Sequence, residues 1–247
     1  TFSAIFELTP LGRIVDRRFG RTVINSDHRF AYEEAQAIIE NPKSEHKDVA
    51  PEIVEAVLLL HSLASKLRKK RFASGAISFE RPEMKVEVDE KGRPVNVYQK
   101  VTKEANWLIE EFMLLANRCV AEFVAAKCKK TFVYRVHDEP NQEKVEALRN
   151  FIGNFGYRMG PTGNGKEISK ELNALFAAAK DTPEYNAIEL LSLRTMAKAR
   201  YDTENLGHYG LAFKYYTHFT SPIRRYPDMM VHRLLAKYLA GGENASK

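Results

Sequence analysis

The stretch TKEANWLIEEFMLLANRCVAEFVAAK, Thr102 to Lys127, constrains the fold more than any other part of the chain. Ala105, Leu108, Ile109, Phe112, Ala116, Cys119, Val120 and Phe123 recur at the helical period of about 3.6 residues. Met113, Leu114 and Leu115 carry the apolar surface nearly all the way round. A helix of that kind has no solvent face at its middle, so other elements must enclose it on several sides. The pattern predicts a helix over residues 102–130. Asn106, Glu110, Met113 and Asn117 fall on one line beside the stripe, at i, i+4, i+7 and i+11. Glu110 and Asn117 are thus polar groups at the edge of a core and need partners. Those are either an internal hydrogen-bond network or the hydroxyls of a ligand.

The remaining elements supply the enclosure. TFSAIFEL-TPLG-RIVDRRFG reads as a hairpin with Phe2, Ala4, Phe6 and Leu8 on one face and Pro10 and Gly12 in the turn. YEEAQAIIE is a short helix that Tyr32 starts and Asn41-Pro42 stops. A long helix over 50–72 carries Ile53, Val57, Leu60 and Leu67, and ends in the cations Arg68 to Arg71 with Gly75 beyond. A second hairpin, AISFERPEMKVEVDEKGRPVNVYQK, alternates at Met84, Val86 and Val88, turns at Glu90-Lys91-Gly92, and places Phe79 in a strand. After the central helix come a strand at TFVYRV, a helix closed by Gly156, helices near 167–179 and 184–199, a glycine- and aromatic-rich connection, and a final helix. Hairpins mixed with long helices predict an α+β fold of antiparallel hairpins packed with long helices.

Composition adds limits. A length of 247 residues is ample for a core, and the net charge of +6 favours polyanionic partners while also serving solubility. Cys119 and Cys128 lie nine apart at different heights of one helix, without metal-ligand spacing, and suit a reducing cytosol. The apolar runs are too short to span a bilayer. We therefore expect a cytoplasmic protein with no membrane partner. The chain opens in mid-strand without a leading Met, and is expected to be a piece of a longer protein.

The chemistry concentrates in YYTHFTSPIRRYPDMMVHRLL, Tyr215 to Leu235. Ser221 suits an N-cap and Pro222 the first helical position, which puts Arg224 and Arg225 in a first turn where the macrodipole repels cations. Free backbone N–H groups with a guanidinium fork cradle a phosphate; alternatively both arginines are solvated or pair with carboxylates. Pro227 interrupts the ladder, so the first turn is separate and Asp228 begins the main helix. His218, Ser221 and Asp228 do not make a hydrolytic triad, because three members crowded in one short segment cannot reach a common centre. Phe79 and Tyr32 are either core or base-stacking aromatics beside arginines. Arg68 to Arg71 read first as a favourable helix end, and secondly as phosphate contacts.

HFTSPIRRYPDMMVHRLL resembles the late signature of the ribonuclease II and ribonuclease R family, the RNB catalytic domain, on its bacterial ribonuclease R side. FGRTVINSDHRFAYEEAQAIIE, GAISFERPEMKVEVDEKGRPVNVYQKVTKEANWLIEEFMLLANRCVAEF, TFVYRVHDEPNQEKVEALRNFIGNFG and HYGLAFKYYTHFTSPIRRYPD agree in order, so the resemblance spans essentially the whole chain. It implies a processive 3′-to-5′ exoribonuclease that takes the 3′ end of single-stranded RNA and releases 5′-nucleoside monophosphates with Mg²⁺. It implies that Arg224 stabilises the phosphorane-like transition state. Tyr32 and Glu110 would lie near the terminal ribose and scissile phosphate, and Phe79 would form one side of a clamp on the terminal base. Arg225, Asn117 and Ser221 are the further candidate RNA contacts. The family's metal-binding aspartate cluster belongs before TFSAIFEL. Residues 1–247 are therefore expected to be a partial RNB domain, without metal ligands of its own, without the flanking oligonucleotide-binding barrels, and inactive alone. The alternative is a non-catalytic RNA-binding or scaffold relative.

Overall fold

The computed structural model describes residues 1–44, 46, 48–79 and 83–246. Helix α3 (Glu104–Phe123) buries Leu108, Leu114, Leu115, Cys119 and Val120, as its all-round apolar pattern requires. The α-helical part is shorter than the predicted 102–130. Lys103 N–H donates to Asn106 Oδ1 at 3.1 Å at its start. After Phe123 the chain widens into a π-helical turn over Val124–Cys128, and Lys129 ends it with a left-handed φ of 51°.

The buried apolar residues form two cores, and α3 contributes to the first. In the first, Ala116, Val120 and Val124 meet Tyr134 and Val136 of β5 (Tyr134–Val136) and Val231, Leu235 and Tyr238 of α7 (Tyr226–Leu239). The hairpin of β1 (Phe2–Leu8) and β2 (Ile14–Arg21) packs Phe2, Ala4, Phe6 and Phe19 against it. The second core joins α4 (Gln142–Gly153), α5 (Gly165–Ala179) and α6 (Tyr185–Thr195) through Val145, Leu148, Ile152, Ile168, Leu172 and Ile188. Asn141 and Asn164 cap α4 and α5, each side chain accepting a backbone N–H at 3.0 Å from Lys144 and Glu167.

Helices α1 (Tyr32–Glu40) and α2 (Pro51–Ala73) pack on the first half of α3. Strand β6 (Arg200–Asp202) pairs antiparallel with β5, within what the sequence reads only as connection. Three residues, with Arg200 and Tyr201 exposed, are too few to show a period. Strands β3 (Glu83–Val88) and β4 (Pro94–Lys100) form the predicted second hairpin, with Val86 opposite Val97. Its apolar face is not in a core: Met84, Val86, Val88, Val95 and Val97 are all exposed. Phe79 is not in a strand: residues 76–79 form a connection after α2 without regular secondary structure. Glu80, Arg81 and Pro82 of that predicted hairpin lie outside the described residues. Among the described residues no helix is long and apolar enough to cross a membrane.

Candidate active site

The segment before α7 is fixed at successive points. Arg135 N–H donates to Tyr216 O at 2.9 Å and Thr217 Oγ1 donates to Val133 O at 2.6 Å, so residues 216–217 lie along β5. Phe219 N–H then donates to Asn117 Oδ1 at 2.9 Å, and His232 Nε2–H donates to Phe219 O at 2.7 Å. Ser221 N–H donates to Asp228 Oδ1 at 2.8 Å. The chain folds back over Ser221, whose carbonyl accepts from Arg224 N–H at 3.3 Å and Arg225 N–H at 3.1 Å.

This geometry corrects the expected helix start. Ser221 precedes an isolated turn; Arg225 is the N-cap of α7, and Pro227 lies in its first turn. The two arginines part company there. Arg225 turns inward, with Nη2 2.9 Å from Asp228 Oδ1 and Nε 2.9 Å from Oδ2. Asp228 is fully buried, so its charge requires that partner. Arg224 is exposed, and its guanidinium makes no hydrogen bond or ion pair among the described residues. A cationic fork is thus presented by a turn whose neighbours are all held.

Asn117 is buried inside this support. Its Nδ2 donates to Tyr216 Oη at 3.3 Å while its Oδ1 receives Phe219 N–H, so its amide is engaged internally rather than turned to a ligand. Tyr216 in turn packs edge-on against His208 and His218, at 5.1 and 5.6 Å between ring centroids. Burial, then the Arg225 charge, pushes His218 down to about 4. Burial, then His137, pushes His208 down to about 3. Both rings are neutral at ordinary pH, and His218 Nδ1 is hydrogen-bonded to Tyr201 Oη at 2.7 Å.

Glu110 stands where α2 meets α3. Arg71 Nη2 donates to Glu110 Oε1 at 3.0 Å, while Oε2 is only within 4.0 Å of Arg68. Its side chain is 44% exposed, so one carboxylate oxygen remains available to a ligand. The adjacent Glu111 is buried and takes Arg71 Nε at 3.1 Å. Arg68 and Arg71 are therefore structural partners of these carboxylates. Tyr32 reaches the same level by register. Lys103 Nζ meets Glu40 Oε1 at 2.9 Å, and Gln36 accepts Ala105 N–H at 2.9 Å, so α1 runs antiparallel to α3. With about 1.5 Å of rise per residue, Tyr32, one turn before Gln36, comes level with Ile109 and Glu110. Its ring is exposed, and its hydroxyl makes no hydrogen bond among the described residues.

Phe79 lies elsewhere. It packs on Phe176 of α5 at 5.4 Å and lines a cavity of about 1150 Å³ with Ile77, Leu148, Phe151 and Met196. Arg224, Tyr32 and Glu110 do not line that cavity. A magnesium ion needs several carboxylate oxygens. Among the described residues no group of three or more His, Cys, Asp and Glu side chains is placed to hold a metal ion. Asp228 is already committed to Arg225 and the Ser221 amide. These residues do not by themselves fit the ion.

Residues 1–241 match the RNB domain family. The chain belongs to that family. Ribonuclease R of Aquifex aeolicus is 41% identical over 226 residues, which are 90% of this chain and 31% of that protein. The structure of Mycoplasma genitalium RNase R in complex with ribose methylated single-stranded RNA superposes with a TM-score of 0.86 at 29% identity, over 96% of this chain and 36% of that one. Yeast Ssd1, a pseudonuclease, shares the fold with a TM-score of 0.68 at 23% identity, over 100% of this chain and 30% of that one. This RNB chain spans about a third of the length of the curated relatives it matches. Within it, sequence reasoning missed the clamp formed by Asp228 and the part played by Glu111. The first joins Arg225 to Asp228 at the helical spacing i, i+3, a signal the sequence displays; the second joins Arg71 to Glu111 forty residues on, which no local pattern marks.

Proposed function

We propose that this chain is part of a 3′-to-5′ exoribonuclease of the cytoplasm, which hydrolyses single-stranded RNA from its 3′ end to 5′-nucleoside monophosphates. The observation that carries the reading is the unpaired Arg224 guanidinium on a turn clamped by Asp228. A planar fork held in place donates to two phosphate oxygens at once, and its contact strengthens as charge builds on them in the transition state. Glu110 accepts a hydrogen bond from the terminal 2′-hydroxyl through the oxygen that Arg71 does not take, and Tyr32 lies at the same level to touch the terminal ribose or its phosphate. Phe79 offers a ring face to a base. Arg225 and Asn117 act through the turn they support, and Ser221 through its backbone.

Magnesium, on this proposal, is held by carboxylates outside these residues, where it would supply charge neutralisation and an activated water. On the same proposal residues 1–247 form a partial RNB domain and show no metal-dependent hydrolysis alone. RNase R of M. genitalium, described with single-stranded and with double-stranded RNA, supports the choice of substrate. Ssd1 shows that this fold also exists in a pseudonuclease, so a non-catalytic RNA-binding relative is the second reading.

The deciding experiment uses the full-length protein that contains this chain. Arg224→Ala should lower kcat by about a hundred- to a thousandfold while RNA affinity changes little. Arg224→Lys should restore little, because the fork is lost. Wild-type turnover in the alanine variant rejects the assignment. RNA binding without mononucleotide release by the unmodified protein favours the second reading.

A further inference from the structure

A second cationic site lies apart from Arg224. A cavity of about 310 Å³ opens between the β1–β2 turn, the end of α2, the middle of α3 and residues 212–213. Lys66 Nζ donates to Pro10 O at 2.8 Å, which pins the β1–β2 turn to α2 and brings Arg13 to the rim. Arg13, Lys70, Arg71 and Arg118 line the cavity against one carboxylate, Glu111. That carboxylate is already taken, since Arg71 donates to both of its oxygens, at 3.1 and 3.3 Å from Nε. Three cations are left without an acidic partner in the cavity.

Arg118 is the informative one. Its guanidinium carbon lies over the Phe213 ring, 5.4 Å from the ring centroid. Its Nε is buried and has no hydrogen-bond acceptor among the described residues. Buried charge-bearing donors are ordinarily satisfied, so an acceptor is missing. The nearby backbone donors are spent: Gly12 N–H on Thr9 O, Arg13 N–H on Thr9 Oγ1, and Phe213 N–H on His208 O. What the cavity offers is therefore side-chain positive charge, with one guanidinium over an aromatic ring.

We propose that this cavity binds a phosphate group, with Arg118 as its central donor and Arg13 and Lys70 at its rim. A tetrahedral oxyanion carries enough acceptors for all three, and the volume admits a phosphate with an attached nucleoside. The group can come from free phosphate or a mononucleotide, or from an RNA backbone. Such binding requires no nuclease activity and is measured without it.

The test is binding to the 247-residue chain, by phosphorus NMR and calorimetry, with inorganic phosphate, adenosine 5′-monophosphate and a short single-stranded oligoribonucleotide. Saturable one-to-one binding is expected. Arg118→Gln should weaken it about tenfold or more, the loss of one charge-assisted contact. Lys70→Gln, at an exposed position, should weaken it about threefold without any risk to folding. Lys127→Gln, at an exposed position outside this cavity, should leave phosphate binding unchanged. Binding of phosphate or mononucleotide identifies a free-anion site. Saturation by the oligonucleotide alone, lost in Arg118→Gln, identifies a backbone site. Absence of saturable binding by all three probes, or binding indifferent to both Arg118→Gln and Lys70→Gln in folded protein, overturns the proposal.

Discussion

At the turn from Ser221 to Asp228, one buried carboxylate serves one arginine and one backbone amide, and a second arginine is left over. At the contact of α2 with α3, two carboxylates take Arg71, Arg68 lies within 4.0 Å of both, and none of these charges is left isolated. Arg68 is further shared between the rings of Phe72 and Trp107, at 4.8 and 4.5 Å. Similar residue types thus divide between support and chemistry. A charge satisfied inside the fold fixes geometry; a charge denied a partner, on a turn that cannot relax, is available to a ligand. Arg224 and Arg225 are neighbours in sequence and opposite in this respect.

The comparison breaks most visibly at Asp228. Asp228→Ala strands the Arg225 charge and the Ser221 amide together, and should cost about 3–5 kcal/mol of stability, read from the urea midpoint. A loss below about 1 kcal/mol would mean that Asp228 does not clamp the turn. At the other contact, Glu111→Ala should cost about 2–3 kcal/mol, less than a fully stranded pair because Arg71 keeps Glu110. Glu110→Ala, at a half-exposed position, should cost under about 1 kcal/mol. In the full-length protein, Glu110→Ala should instead narrow the ratio of cleavage between RNA and a DNA-ended strand. Equal destabilisation by the two glutamate variants, with that ratio unmoved, would erase the distinction between a supporting carboxylate and one available to a ligand.

Acid provides a smaller, graded probe of the turn's support. His218 and His208 are held at about 4 and about 3 in the folded state, against an ordinary 6.5. Their folded pKa values are depressed, so the unfolded chain takes up protons first as pH falls. The stability these neutral rings contribute is present above about 6.5 and is lost progressively toward pH 4 and below. His218→Phe should flatten part of that slope in urea titrations. A slope identical to the unmodified chain's would show that His218 is not held neutral by its surroundings. The smallest expected effect is Arg224→Ala on stability, within about 0.5 kcal/mol, because the side chain has no partner to lose. A larger drop would move Arg224 to the supporting side of the comparison.

Elements whose period is local were legible in the residues alone. The stripe of α3 announced a central helix, and α1, α2, α4, α5 and the two hairpins followed from spacing, caps and turn residues. The order of the motifs around Arg224, Tyr32, Glu110 and Phe79 pointed to the RNB family, to which residues 1–241 belong. Tertiary structure alone decided the pairings. Strand β6 exists only because β5 lies beside it. The valines of β3 and β4 alternate as a core-facing hairpin does, yet nothing among the described residues covers them, since alternation specifies two faces but not which one is buried. Phe79 reads as a strand residue and lies in a connection without regular secondary structure. Ser221 and Pro222 satisfy the local rules for a helix start, but the buried Asp228 draws the Ser221 amide and the Arg225 guanidinium to itself and moves the start to Tyr226. Periodicity is a property of neighbours along the chain. The partner a charge finds is a property of neighbours in space, and that is why the pattern disclosed the arginines while only the fold decided which of them remained free.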